Sequence, residues 1–273
     1  NVTAEESVKW VKILTDEWNP KPAFSLPQLR VTQLDQGTDY VYRLVGMNDQ
    51  DSNSCVSALF QMGAVDIRTN SAISVLHHLL REPAFNQLRT EEQLGYIVHS
   101  SVKTSGDNIK GIMILIQSDS FDPLHLDERI EVFLQGFRTK LVEMTTEDFD
   151  FNVDSVCQNL LQKDKSLGEE SSRYWGAISN RTYNFCRLAD IAGEARTLIK
   201  LDVLRIFDRF VLRGSPNRQK LSVQVFGNNH LERLNEETDA VLIKDPIEFC
   251  NWQSLFPLPA TVSVETFMTD FKE

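Results

Sequence analysis

Hydrophobic and polar residues alternate in several short segments of the chain, and this period of two predicts β-strands. The predicted strands cover residues 38–46, 54–64, 95–102, 110–118 and 221–226. The segment 110–118 is apolar on both faces, so we expect it in the interior of a covered sheet. The polar stretch before it is typical of a hairpin connection.

Hydrophobic residues at spacings of three and four predict helices elsewhere. These helices begin near residues 4, 67, 123, 146, 169 and 197. Asp122 and Pro123 form a favourable helix start, whereas Pro83 is expected to end the helix over 67–81. A short further helix is expected between Pro83 and Gly95.

This order of elements predicts an α+β fold, a mainly antiparallel sheet with helices packed on one face. Residues 1–28 contain a helix and a proline-rich stretch, and we expect them to be the end of a preceding domain and a linker. Residues 29–230 are predicted to form the α+β domain, and residues 231–273 an irregular tail packed on it. The 273 residues, 41% of them hydrophobic, suit a core of this size.

Charge and cysteine content narrow the classes of partner and the location. The net charge of −11 argues against nucleic acid or an anionic membrane as a partner. No apolar run has the length needed to cross a bilayer. The four cysteines lack metal or disulfide spacing, which indicates free thiols and a cytoplasmic protein. Because the chain begins with Asn1 in a polar segment, we expect a part of a longer polypeptide.

One predicted junction combines two side chains that could hold a carbonyl group. Arg89 and Tyr96 flank a break at Gly95, between the end of a helix and the start of a strand. Two rigid elements can aim a guanidinium and a phenol at one point, which suits polarising a carbonyl. An ordinary helix–strand corner with a solvated arginine explains the same spacing, so the spacing alone leaves both interpretations open.

The junction lies in a longer run that resembles a known family. Residues 88–98 read Leu-Arg-Thr-Glu-Glu-Gln-Leu-Gly-Tyr-Ile-Val, which looks like a signature of the C-terminal half of insulysin-like, pitrilysin-type metallopeptidases. Further likenesses to that family follow the same order along the chain, at 82–86, 116–118, 174–176, 183–185 and 255–258. The resemblance implies the last of four related α+β domains, preceded by a short piece of the third.

The resemblance also implies roles for individual residues. Tyr96 would donate a hydrogen bond to the substrate carbonyl as it becomes a tetrahedral oxyanion, and Arg89 would bind the substrate near the scissile bond. Phe85 and Asn86 are further substrate-binding candidates, although such residues more often belong to a core and a helix end. We expect the consecutive carboxylates of residues 91–92 to diverge on a helix and to form a solvated face.

The zinc motif of this family is not found in the chain. These inverzincins use His-x-x-Glu-His, which places two imidazoles on one helical face beside a carboxylate that activates water. None of the five histidines lies in such a motif, and His78 with Glu82 provides too few ligands for zinc. The resemblance therefore implies that the N-terminal half of the same polypeptide binds the zinc, and that this fragment binds no metal.

The resulting hypothesis is the C-terminal domain of an insulysin-like zinc metalloendopeptidase that completes a peptide-degradation chamber and is inactive alone. Its expected partners are the N-terminal half and peptide substrates, and a homo-oligomer stays open. A catalytically inactive scaffold or binding subunit of the same fold is the alternative. A self-contained hydrolase is disfavoured because no Gly-x-Ser-x-Gly elbow is present.

Overall fold

Six strands form one sheet in the computed structural model, which describes residues 2–21, 29–48, 50–106, 108–180 and 182–257. The strands are β1 (Thr38–Val45), β2 (Ser54–Ala64), β3 (Ile97–Ser105), β4 (Ile109–Ser118), β5 (Gln219–Phe226) and β6 (Val241–Ile243). Their order in the sheet is β3-β4-β2-β5-β1-β6. The pairs β3–β4, β4–β2 and β2–β5 are antiparallel, whereas β1 runs parallel to both β5 and β6.

The helices of the main core pack against one face of this sheet, whereas Phe249 of the last helix contacts Tyr40 on the other face. The α-helices are α1 (Ala4–Trp18), α2 (Ile67–Ala84), α3 (Pro123–Glu143), α4 (Thr146–Leu160), α5 (Leu167–Ser179), α6 (Arg187–Ala195), α7 (Lys200–Phe210) and α8 (Pro246–Trp252). Helices α2, α3 and α7 contact the strands directly and share one hydrophobic core with β2 and β4. The predicted α+β fold is confirmed. None of the described helices combines the length and the apolar character needed to cross a bilayer.

The prediction that Pro83 ends its helix is wrong. Helix α2 runs through Pro83 to Ala84 and continues directly into a π-helical segment, Phe85–Glu91. The amide of Phe85, two residues after the proline, donates to the carbonyls of both Arg81 and Glu82. Proline removes one backbone donor, and the shared hydrogen bond of Phe85 continues the ladder directly after it.

The C-terminal region is more regular than predicted. Strand β6 extends the sheet beside β1, and α8 starts at Pro246 behind the capping carboxylate of Asp245. The next residues pair with the start of the domain, since Phe256 N–H donates to Val31 and Gln33 N–H donates to Ser254. Helix α6 was not predicted either. A three-residue strand and a nine-residue helix are too short to give a clear periodic signal.

The predicted division at residues 28 and 230 stays a prediction. No residue of α1 is buried, which agrees with a segment whose packing partner lies elsewhere. The proline-rich linker falls partly on residues 22–28, outside the described part of the chain.

A buried cluster of charges joins α3 to β5. The carboxylate of Glu131 accepts hydrogen bonds from Arg218 Nη1 at 3.0 Å and from Lys220 Nζ at 2.6 Å. Arg218 also binds Asp39, and Lys220 binds Asp127. Burial by itself raises the pKa of Glu131, but the hydrogen bonds and charges of the two cations outweigh it and lower that pKa to about 2. The carboxylate is therefore ionised at neutral pH and fixes α3 on the sheet.

We predict that Glu131→Gln lowers the free energy of unfolding by about 3–5 kcal/mol, because it removes the buried carboxylate that two buried cations share and leaves each with a single carboxylate partner, Asp39 or Asp127. Glu128→Gln is the matched control on the same helix. Glu128 is exposed and pairs with Arg213 at 2.8 Å, so its loss should cost less than about 1 kcal/mol. Denaturant unfolding at pH 7 measures both values.

The effect of Glu131→Gln should also depend on pH. Because the folded pKa lies below that of the unfolded chain, the contribution of Glu131 is complete above the unfolded pKa of about 4.3. It is lost as the pH falls toward about 2. The stability difference between wild type and Glu131→Gln should therefore narrow between these values, and a difference that stays constant would contradict an ionised Glu131.

Candidate functional site

The predicted site residues lie where the π-helical segment gives way to β3. Phe85, Asn86 and Arg89 all belong to Phe85–Glu91. A turn then leads to Tyr96, which directly precedes β3. π-Helical turns are rare and are often found at functional sites, so the local backbone sets this junction apart from an ordinary helix–strand corner.

The structure brings Arg89 and Tyr96 together. Arg89 Nε donates to the main-chain oxygen of Tyr96 at 3.0 Å. The guanidinium carbon lies 5.5 Å from the ring centroid of Tyr96 and 5.0 Å from that of Phe85. Both distances are typical of cation–π contacts. The guanidinium is therefore held by two aromatic rings and one carbonyl.

The remaining donors of the pair are available to a ligand. The side chain of Tyr96 is 84% exposed. Within the described residues, neither its hydroxyl nor the two terminal nitrogens of Arg89 make a hydrogen bond. A phenolic hydroxyl beside a guanidinium fork can bind a carbonyl or carboxylate oxygen, and positive charge nearby favours an oxygen that becomes negative.

Phe85 and Asn86 differ in how they join this pair. Phe85 is 41% exposed and contacts Arg89, so it does not belong to the core. Asn86 is exposed, and its side chain makes no hydrogen bond within the part of the chain that the structure describes. Three of the four candidates are thus in contact, and the roles of all four in binding substrate stay predictions.

The expectation of a solvated face holds for Glu91 but is wrong for Glu92. Glu91 is exposed. The side chain of Glu92 is only 19% exposed and binds the guanidinium of Arg129 on α3. Hydrogen bonds from Arg129 lower the pKa of Glu92 despite its partial burial. The sequence carries no local signal for a pair that spans 37 positions.

The break predicted at Gly95 has a physical cause other than backbone conformation. A β-carbon at Gly95 would lie 2.0 Å from the main-chain oxygen of Gln117 on β4. The residue with positive φ in this turn is Gln93, at 53°. Gly95 is therefore required because the turn passes directly against the neighbouring strand.

The residues near this junction do not fit a zinc ion. Among the described residues, no group of three histidine, cysteine, aspartate or glutamate side chains is placed to bind a metal. His78 and Glu82 lie on α2 without a third ligand of these types. No step of zinc chemistry is therefore assigned to this junction.

Comparison with known proteins identifies the class. A family model described as PQQ synthase PqqF-like, C-terminal lobe domain 4, matches residues 75–175. The protein named insulin-degrading enzyme-like 1, peroxisomal, of Arabidopsis thaliana is 33% identical over 246 residues, which cover 88% of this chain and 25% of the relative. A Caenorhabditis elegans protein named as a zinc protease is 33% identical over 208 residues, 76% of this chain and 22% of that protein.

Comparison with solved structures gives the same result for the fold. A crystal structure of pitrilysin matches with a TM-score of 0.75 at 21% identity, over 93% of this chain and 27% of that chain. The chain belongs to the insulin-degrading-enzyme-like family of peptidases and corresponds to part of their C-terminal lobe. It spans about a quarter of the length of the curated relatives it matches.

We predict that Gly95→Ala destabilises the protein by at least about 1–3 kcal/mol, because the added methyl group must displace β4 or the turn. Gly136→Ala on α3 is the matched control. A β-carbon at Gly136 meets no atom within 4 Å, so this change should stabilise by about 0.5–1 kcal/mol. Thermal and denaturant unfolding measure both, and equal stability of the two variants would contradict the close approach at Gly95.

Proposed function

We propose that this chain is the C-terminal part of a zinc metalloendopeptidase and that it supplies groups that bind the peptide and stabilise the oxyanion. The contact between Arg89 and Tyr96 carries the proposal. It presents a hydroxyl and a guanidinium fork to solvent from a rigid junction. Membership of a peptidase family makes a peptide carbonyl the natural ligand of these donors.

The proposed chemistry is stabilisation of developing charge. Attack on a peptide carbonyl turns its oxygen into an oxyanion, and the Tyr96 hydroxyl would donate a hydrogen bond that strengthens as the charge forms. Arg89 would bind a neighbouring carbonyl of the substrate through its terminal nitrogens and add positive potential. Phe85 and Asn86 would contact the substrate beside these two residues.

The zinc ion belongs, in this proposal, to the N-terminal half of the same polypeptide. Bound there, zinc would supply the activated water. Two observations support a second half: the relatives are about four times as long as the aligned region, and one of them is named as a zinc protease. The two halves would enclose peptide substrates in a chamber, and this chain alone would not hydrolyse peptides.

A cytoplasmic location is part of the same proposal. All four cysteines are free, which supports a reducing compartment. The charge of −11 supports partners other than nucleic acid and anionic membranes.

We predict that Tyr96→Phe lowers kcat about 10²–10³-fold in the enzyme assembled from this chain and the N-terminal half. The change removes one hydroxyl and keeps the ring that contacts Arg89, so KM should change little. Tyr42→Phe is the matched control, because Tyr42 lies on β1, four strands away from β3 in the sheet. Hydrolysis of a fluorogenic peptide gives both constants, and an unchanged kcat in Tyr96→Phe would disprove the oxyanion role.

We predict no peptide cleavage by this chain alone, and chelator-sensitive cleavage after it is mixed with the separately produced N-terminal half. Cleavage by the chain alone that is indifferent to a zinc chelator would contradict the proposal and point to a nucleophile in this chain. Two halves that associate but remain inactive would favour the alternative, an inactive scaffold of the same fold.

A further inference from the structure

Within the described residues, a single ion pair connects the turn between Arg89 and Tyr96 to the helices of the core. Two backbone hydrogen bonds close the turn: Glu92 N–H donates to Gln87 at 2.9 Å, and Leu94 N–H donates to Leu88 at 3.0 Å. The side chain of Glu92 then leaves the turn toward α3.

Both carboxylate oxygens of Glu92 are used there. Oε2 accepts from Arg129 Nε at 2.7 Å, and Oε1 accepts from Arg129 Nη2 at 2.8 Å. Gln87 Nε2 donates to the same Oε1 at 2.9 Å. A bidentate arginine–carboxylate pair fixes orientation as well as distance. It therefore determines the rotation of the turn relative to α3.

The partner of Glu92 sits on a rigid support. Helix α3 has 21 residues. Three residues near Arg129 on this helix are fully buried in the core: Leu126, Ile130 and Phe133. Such a helix moves little, because its side chains interlock with those of the sheet. Arg129 thus offers the turn a fixed point of attachment.

Apart from this pair and the two backbone hydrogen bonds, the contacts of the turn do not define its rotation. Leu88 and Leu94 are buried on either side of Glu92, but apolar burial is non-directional. Gly95 meets the Gln117 carbonyl so closely that the chain has little freedom to shift along β4. A rotation of the backbone at Glu92 would therefore displace the following residues up to Tyr96. Arg89 would be displaced with Tyr96, because Arg89 Nε donates to the Tyr96 carbonyl.

From these contacts we propose that the Glu92–Arg129 ion pair positions Tyr96 and Arg89 for the reaction. Glu92 is a positioning residue in this proposal, which rests on the proposed function, since it acts through Tyr96 and touches no substrate. A displacement near 1 Å at a reacting group can reduce the rate about 10²-fold. We therefore expect Glu92→Gln to lower kcat about 10- to 100-fold in the assembled enzyme, whereas Glu91→Gln on the exposed neighbour should change it less than about 2-fold.

A double-mutant cycle tests whether Glu92 acts through Tyr96. We expect Glu92→Gln to lower kcat strongly in the wild type but less than about 3-fold in a Tyr96→Phe background, because the hydroxyl to be positioned is already absent. An equal loss in both backgrounds would overturn the proposal in favour of general stabilisation. If Tyr96→Phe alone leaves kcat unchanged, the proposed function fails, whatever Glu92→Gln does.

A second readout does not depend on activity. In protein labelled with 3-fluorotyrosine, the ¹⁹F resonance of Tyr96 is assigned by its loss in Tyr96→Phe. Glu92→Gln should shift or broaden that resonance, and Glu91→Gln should leave it unchanged. An unmoved Tyr96 resonance in Glu92→Gln would contradict the proposal. If Glu92→Gln does not fold, Arg129→Lys retains the charge without the fork and should give the same result.

Discussion

The arrangement of this chain depends on the charge pairing of helix α3. Glu131 binds two buried cations beneath the sheet, and Arg129 binds Glu92 at the other side of the same helix. Apolar contacts hold α3 against β2, but they leave its rotation and axial position loosely defined. The charged contacts are directional, so they define the position of α3 relative to β5. Through Arg129 and Glu92 they also define the position of the junction that carries Arg89 relative to α3.

At the junction, the atoms of Arg89 that hold its side chain in place are different from the donors that remain available to a ligand. Arg89 uses Nε on the Tyr96 carbonyl and its flat face on the rings of Phe85 and Tyr96. Its terminal nitrogens remain open in the described structure. An arginine restrained in this way loses less conformational freedom when a ligand binds than a free surface arginine would. The π-helical segment makes this possible, since it carries both Phe85 and Arg89.

The fold was predictable because it is determined by local periodicity. Alternation in 54–64 and the apolar run 110–118 identified the two strands at the middle of the β3-β4-β2-β5 arrangement. A junction of Arg89 with Tyr96 was also predicted from a helix end and a strand start, and the two residues are in contact. Their roles followed only from the family resemblance of residues 88–98 and stay predictions. Continuation of α2 through Pro83 was missed, since the backbone hydrogen bonds that continue the ladder at Phe85 leave no periodic trace in the sequence. The Glu92–Arg129 pair was missed because only the folded sheet brings the two residues together.

The exposure of Tyr96 has a consequence for the proposed mechanism. A hydroxyl on a side chain that is 84% exposed competes with water for every hydrogen bond. If a second lobe closes over the junction, water is expelled and the same donor acts at lower effective dielectric, where its interaction with an oxyanion is stronger. In the proposed mechanism, placing the donors and the metal on two lobes would thus link the rate of catalysis to closure of the lobes. The open arrangement would admit a peptide without yet stabilising its transition state.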